Sequence, residues 1–358
     1  VRILYDGWEL AYRPNSPAAI HLLTLLAALP KGIQALVGLP AESIHTLPDG
    51  VESYLVAVPD RPESHLLWEQ RRLPELGRVL KADLIHSFEG VALLRRGKSV
   101  ISPATRALLN TGVSHDREPL SLAGRLRDAF GQGGFSRAGG LFWPSDLAEL
   151  IDAQESRLSH SRLPPVYLLP AVVQPAFTQE KEQSNLEASV GLDIPETFIL
   201  YHGSGKRIAI RRLLAAWSWA AGPIGEYFPL VAVGLDQPQV EGFQEIARQI
   251  RVDQSVQCLT AVTLPILAKL YQASSVVFCP QETTPWGSSL RQAIACAKPV
   301  VGLETPLNDK ILGPAGFLVP DSGYEPERNR ALGAGLISVI VEEELAQKLT
   351  EAARKRSE

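Results

Sequence analysis

The chain has 358 residues, 45% hydrophobic and 21% charged, which is enough for two globular domains of ordinary size. A net charge of -4 and a pI near 6.0 exclude a globally basic chain built around nucleic acid, and the scattered tryptophans give no aromatic nucleic-acid surface. Three cysteines with neither CxxC spacing nor a histidine cluster speak against a disulfide framework or structural zinc and fit a reducing cytoplasm, and no apolar run reaches the ~18 residues of a membrane-spanning helix.

Strand-like and helix-like segments alternate, the pattern of an α/β protein with parallel sheets. Val1–Tyr5 reads as a first strand and lacks the layout of a signal peptide. A helix is expected over Ala18–Leu29, and short apolar runs follow at Ile33–Gly38 and Tyr54–Val58. Leu66–Leu80 has helical periodicity. Ala82–Ser87 and Ser99–Ser102 read as buried strands. Gly140–Trp143 leads into a helix over Leu147–Gln154, with Ser145 or Asp146 as its cap. After a strand at Val166–Pro170, a proline-rich connection and a polar stretch mark a domain boundary. The expected division is a first domain over 1–172, a linker over 173–184, a second domain over 185–340 and a charged C-terminal helix over 341–358 that crosses back to the first domain.

The second series begins with a strand at Phe198–His202, then Gly203-Ser204-Gly205-Lys206-Arg207, then a helix over Arg211–Ala221. Strands are expected at Leu230–Gly234, Val256–Leu259, Val276–Cys279, Pro299–Gly302 and Phe317–Val319. The helices between them are Gln239–Arg251, Leu264–Gln272 and Ser288–Cys296, and Glu342–Arg356 closes the chain.

Two segments carry chemistry. A strand, a Gly-rich turn and a helix present backbone N–H groups and a positive dipole end, and Lys206 and Arg207 add two cations, which suits a phosphate. The same residues also read as a tight turn with solvated cations, and no Walker loop is present. The loop Pro280–Gly287 follows a strand, where open α/β sheets bind ligands. Its Glu282 and Thr284 suit sugar hydroxyls, and Ser288 and Ser289 open the next helix. The competing reading is a capped helix packed on the sheet. Of the histidines, His202 beside the Gly-rich turn is the better ligand candidate. His86 is as readily a core residue, and His21 is structural.

Pro285-Trp286-Gly287, then Gln292-Ala-Ile-Ala-Cys296 and Pro299-Val-Val301, resembles the donor-side segment of the retaining GT-B glycosyltransferases of family four (glycosyltransferase group 1). That family carries Glu-Pro-Trp-Gly or Glu-Gly-Phe-Gly before a Glu-Ala-Met-Ala-Cys-Gly helix and a Pro-Val-Val strand. Leu270–Ser274, Gly313–Pro320, Tyr201–Gly203 with Arg211–Trp217, and Lys81–Ser87 resemble further segments of it. The likeness is dense over 197–320 and thin before Val166.

The resemblance implies two Rossmann-like domains with parallel sheets facing a central cleft, the GT-B fold. It implies transfer of a sugar from a nucleotide-diphosphate sugar to a hydroxyl of a glycan or lipid-linked acceptor, with retention, as in polysaccharide biosynthesis. No metal and no cofactor beyond the donor substrate is expected, because helix starts and cations stabilise the leaving diphosphate. It implies donor-binding roles for Gly203, Ser204, Lys206, Arg207, Glu282, Thr284, Gly287, Ser288, Ser289 and Gln292, with Asn15, Ser16 and His86 on the acceptor side. The expected partners are the nucleotide sugar and its acceptor, with no nucleic acid, in the cytoplasm, and with weak peripheral contact at the inner face of the membrane.

The chain departs from the family at the two motif glutamates, which fall on Thr284 and Gln292, and Ser204 stands where the family has an arginine. The alternative reading is therefore a catalytically degenerate relative acting as a nucleotide-binding or structural partner subunit. A GT-B epimerase or phosphorylase is a weaker third.

Overall fold

The computed structural model describes residues 1–88, 98–102, 126, 137–151, 164–178, 194–203, 205–260 and 262–357. The chain divides into two compact units. One comprises Val1–Pro14, Ala18–Val172 and Thr284–Trp286, the other Asn15–Pro17, Val173–Thr283 and Gly287–Glu358.

The first unit is built on a parallel sheet of β1 (Arg2–Asp6), β2 (Gln34–Leu39), β3 (Glu52–Leu55), β4 (Leu84–Ser87), β5 (Ser99–Ile101), β6 (Gly140–Pro144) and β7 (Val166–Leu169), in the order β3-β2-β1-β4-β5-β6-β7. Its helices include α1 (Trp8–Tyr12), α2 (Pro17–Ala27), α3 (Pro62–Leu67) and α4 (Leu73–Val79). The helix expected over Leu66–Leu80 starts earlier, at Pro62, and is interrupted by a π-helical stretch over Trp68–Arg72. Pro74 lies just beyond that stretch and has no N–H to continue an α-helical ladder, which accounts for the break. The helix expected over Leu147–Gln154 is described only as far as Ile151, and residues 152–154 lie outside the described residues. Ser145 and Asp146 lie inside a 3-10 turn over Ser145–Leu147 that follows the extended Pro144. Leu4, Trp8, Leu36, Trp68, Leu73 and Ile85 form a core cluster of this unit. Asp6 Oδ1 anchors it, accepting from the Trp8 N–H at 3.0 Å and from Trp68 Nε1 at 2.8 Å.

The second unit has a parallel sheet of β8 (Ile199–His202), β9 (Leu230–Val233), β10 (Val256–Leu259), β11 (Val276–Cys279), β12 (Val300–Leu303) and β13 (Gly316–Val319), in the order β10-β9-β8-β11-β12-β13. Strands β8, β9, β11 and β12 are buried at every position, as their unbroken apolar runs require of central parallel strands. The helices are α5 (Pro175–Thr178), α6 (Arg207–Ile224), α7 (Gln237–Gln249), α8 (Leu264–Ala273), α9 (Ser288–Ala295), α10 (Pro306–Leu312), α11 (Glu325–Val341) and α12 (Glu343–Ser357). Helix α6 begins at Arg207, four residues before the expected start, because Ile208, Ala209 and Ile210 already continue its apolar stripe. Helices α10 and α11 are additions to the sequence reading. Leu332, Leu336 and Val339 of α11 join Leu213, Ala216 and Trp217 of α6 in the main core. Arg356 of α12 donates to the carbonyls of Lys310 and Ile311, closing the C-terminal end of α10.

Among the described residues no helix is long and apolar enough to cross a membrane.

Candidate functional site

In both sheets the strand order reverses beside the first strand, between β1 and β4 and between β8 and β11. Open α/β sheets bind ligands at such a point, beyond the carboxyl ends of the strands. In the second unit the sequence places both chemistry-bearing segments there. Strand β8 runs into Gly203–Lys206 and α6, while its parallel neighbour β11 runs into Pro280–Gly287 and α9. Two helix N-termini therefore open at the same edge of the sheet.

At neither start does the N-cap residue supply a side-chain cap. Lys206, extended and exposed, occupies the N-cap of α6, and Gly287 occupies that of α9; neither makes a capping hydrogen bond. By contrast, Asp236 and Gln239 form a reciprocal capping box on α7, and Thr305 caps α10. Gly287 has φ +53°, the left-handed region, and a Cβ there would lie 2.5 Å from Ile311 Cδ1. The glycine lets the loop drop directly into the helix, with Ser288 and Ser289 as its first two residues. Gly205 is constrained by its neighbour, since a Cβ would run into the Gln239 side chain. Arg207 opens α6 and forms a loose ion pair of 3.9 Å with Glu245, both half exposed.

The loop after β11 is tightly held. Gln281 Nε2 donates to the Tyr201 hydroxyl at 2.9 Å. The Gln281 carbonyl accepts from Cys279 Sγ at 3.2 Å and from Asn308 Nδ2 at 3.0 Å. The Thr283 N–H donates to Asn308 Oδ1 at 2.9 Å. Glu282 lies half-buried between these two fixed residues.

His202, at the end of β8, is buried rather than open to ligand. Its Nε2 lies 2.5 Å from the Asn15 carbonyl, which can only accept, so this nitrogen carries the hydrogen. Nδ1 then accepts from the Tyr271 hydroxyl at 2.8 Å. Burial lowers its pKa to about 4, against the raising effects of Asn15 and Gln292. Gln292 is itself buried beside His202.

Gly203, Lys206, Arg207, Glu282, Gly287, Ser288, Ser289 and Gln292 thus belong to one unit and to two adjacent strand–helix passages. Asn15 and Ser16 belong to this unit too, both buried. Thr284 clusters with the first unit, and Ser204 lies outside the described residues. His86, on β4, is a core residue of the first unit. Its Nε2 lies 2.8 Å from Ser102 Oγ, its ring stacks on Phe88 at 4.7 Å, and burial lowers its pKa to about 3. Tyr201, Tyr271 and Asn308 were not singled out from sequence. A Thr-Pro pair three residues before Asn308 was the available signal for a helix start there. Among the described residues no group of three or more His, Cys, Asp and Glu side chains is arranged to hold a metal ion.

Residues 196–356 match the family model described as "Glycosyl transferases group 1". A 97-residue stretch is 35% identical to the D-inositol 3-phosphate glycosyltransferase of Kribbella flavida, covering 26% of this chain and only 22% of that protein. The chain superimposes on WaaG, a glycosyltransferase involved in lipopolysaccharide biosynthesis, with TM-score 0.72 and 18% identity over 99% of this chain and 95% of that one. It matches the sucrose-phosphate synthase of Thermosynechococcus elongatus at TM-score 0.69 and 18% identity, covering 99% and 94%. Anabaena HepE, solved in complex with UDP and glucose, matches at TM-score 0.65 and 15% identity over 99% and 94%.

Proposed function

We propose that this chain, a GT-B protein belonging to the group 1 glycosyltransferases through residues 196–356, transfers a sugar from a nucleotide-diphosphate sugar to an acceptor hydroxyl. The observation that carries the reading is the pair of helix N-termini that open together at the edge shared by β8 and β11, one led by Lys206 and Arg207 and the other by Gly287. Departure of the nucleoside diphosphate concentrates negative charge on phosphate oxygens. Backbone N–H groups of two first helical turns, two dipole ends and the cations Lys206 and Arg207 meet that charge with donors fixed before the reaction. Such a constellation stabilises the leaving group without a divalent cation, so the proposed transfer is metal-independent. It proceeds with retention, through an oxocarbenium-like state at the anomeric carbon.

Gly203, Ser204, Lys206 and Arg207 serve the diphosphate in this reading, together with Gly287, Ser288 and Ser289. Glu282, Thr284 and Gln292 border the sugar and ribose. The acceptor is a glycan or lipid-linked hydroxyl compound taken by the first unit, and a lipid-linked one would bring the protein to the inner face of a membrane. His86 serves that unit through packing, since its ring is shut in by Ser102 and Phe88.

The test is to incubate the protein with UDP-, GDP- and ADP-sugars and a panel of oligosaccharide and lipid-linked acceptors, with and without EDTA. The expected product keeps the donor's anomeric configuration by NMR and forms equally in EDTA. A product of inverted configuration, or one that needs a divalent metal, contradicts those parts of the proposal.

A further inference from the structure

The loop between β11 and α9 contains a single carboxylate, Glu282, and its backbone is gripped from outside by one side chain. Asn308 is 0% exposed and sits in the first turn of α10, where Thr305 Oγ1 accepts from its N–H at 3.2 Å. Its amide Oδ1 accepts from the Thr283 N–H at 2.9 Å, while Nδ2 donates to the Gln281 carbonyl at 3.0 Å. These are the peptide groups immediately before and after Glu282. A side-chain amide engaging the carbonyl of one neighbour and the N–H of the other does what a partner strand would do. The second hydrogen of Nδ2 goes to the Leu303 carbonyl at 2.8 Å, tying the same amide to the end of β12. Gln281 Nε2 reaches the Tyr201 hydroxyl on β8, so the loop is referenced to strands on both sides of β11.

We infer that Asn308 is a positioning residue that fixes the backbone of Glu282, so that its carboxylate accepts hydrogen bonds from the sugar hydroxyls of the donor. This rests on the donor-binding reading above. It follows from the geometry: a loop without a regular partner is held on both flanks of one residue, and that residue carries the loop's only charge. A buried amide with three hydrogen bonds costs entropy and desolvation that an apolar residue at this core position avoids. What it secures is the conformation of residue 282.

The consequence separates the sugar from the nucleotide. UDP, GDP and ADP and their hexose conjugates are titrated into the full chain, Glu282→Gln and Asn308→Asp. Asparagine-to-aspartate keeps the acceptor for Thr283 but sets an oxygen against two carbonyls. Each variant is expected to weaken the preferred nucleotide sugar by about tenfold or more, leaving the matching free nucleoside diphosphate within about twofold. The double variant is expected to be no weaker than the weaker single one, because both act through one carboxylate. Equal loss of nucleotide and nucleotide sugar, or additive losses, overturns the inference while leaving donor binding intact. Binding of neither class overturns the donor reading and the inference together. Should Asn308→Asp fail to fold, amide exchange in the unaltered protein decides. The Thr283 amide is expected to exchange at least ~100-fold more slowly than an exposed loop amide, and unprotected exchange overturns the grip itself.

Discussion

His202 and His86 are held neutral by burial, with pKa values of about 4 and about 3. In the unfolded chain each takes up a proton near pH 6.5. A lowered folded-state pKa means that the unfolded chain binds more protons between that pH and the folded value. The stability these residues contribute is thus complete above about pH 6.5 and is lost as the pH falls toward about 4 for His202 and about 3 for His86. Denaturant titrations at pH 7.5, 6 and 5 are expected to show a decline of a few kcal/mol from this pair, and a flat profile would contradict their neutral, buried state. Gly287 gives a second prediction at this scale. Alanine there keeps the left-handed φ at a cost of roughly 1–2 kcal/mol and presses on Ile311. A lowered denaturant midpoint together with weaker nucleotide binding is expected, and a variant indistinguishable from the parent would remove the case for this helix start. Residue identities of this kind were legible wherever backbone chemistry dictates them, as at Gly287 and the paired Ser288 and Ser289. The burial of His202 was not, because Tyr271 and Asn15 lie 69 and 187 positions away in the sequence.

Helices with an amphipathic stripe and a clear break, such as 237–249 and 264–273, follow the sequence pattern to within two residues. The helix over Glu325–Val341 does not announce itself. Its glycines at 333 and 335 have low helix propensity, yet they allow close packing: a Cβ at Gly333 would lie 2.5 Å from Trp219 Cβ, and one at Gly335 2.8 Å from the Phe317 ring. Tertiary contact decides this element where local propensity argues against it. Leu336, fully buried between α6 and the sheet, carries the prediction here. Leu336→Ala is expected to cost ~2–5 kcal/mol in urea unfolding, and a loss below ~1 kcal/mol would show that the helix is peripheral to the core. Arg356→Ala is expected to lower the thermal midpoint by several degrees by freeing the carbonyls that end α10. Unchanged stability would show that the last helix does not brace α10.

At the scale of the whole chain, strand–helix alternation conveys the class, and right-handed crossovers between parallel strands narrow the topologies open to it. The strand order itself is non-local: β8 meets β11 across two intervening strands, and that pairing places Gly203–Arg207 beside Glu282–Gln292. The family likeness was legible only where the donor-side scaffold is spelled out, and the matched region, 196–356, falls in the second unit except for Thr284–Trp286. The two missing glutamates weaken a reading based on motif alone. The geometry supplies another basis for it, in two helix N-termini, two cations and the held backbone around Glu282 at one sheet edge. The most direct measurement is calorimetric titration of UDP, GDP and ADP and their sugar conjugates into the intact protein and into Lys206→Ala and Arg207→Ala. The account predicts saturable binding of one nucleotide class, weakened about tenfold by each substitution. Absence of binding by every nucleotide and nucleotide sugar, in protein that unfolds cooperatively, would contradict it.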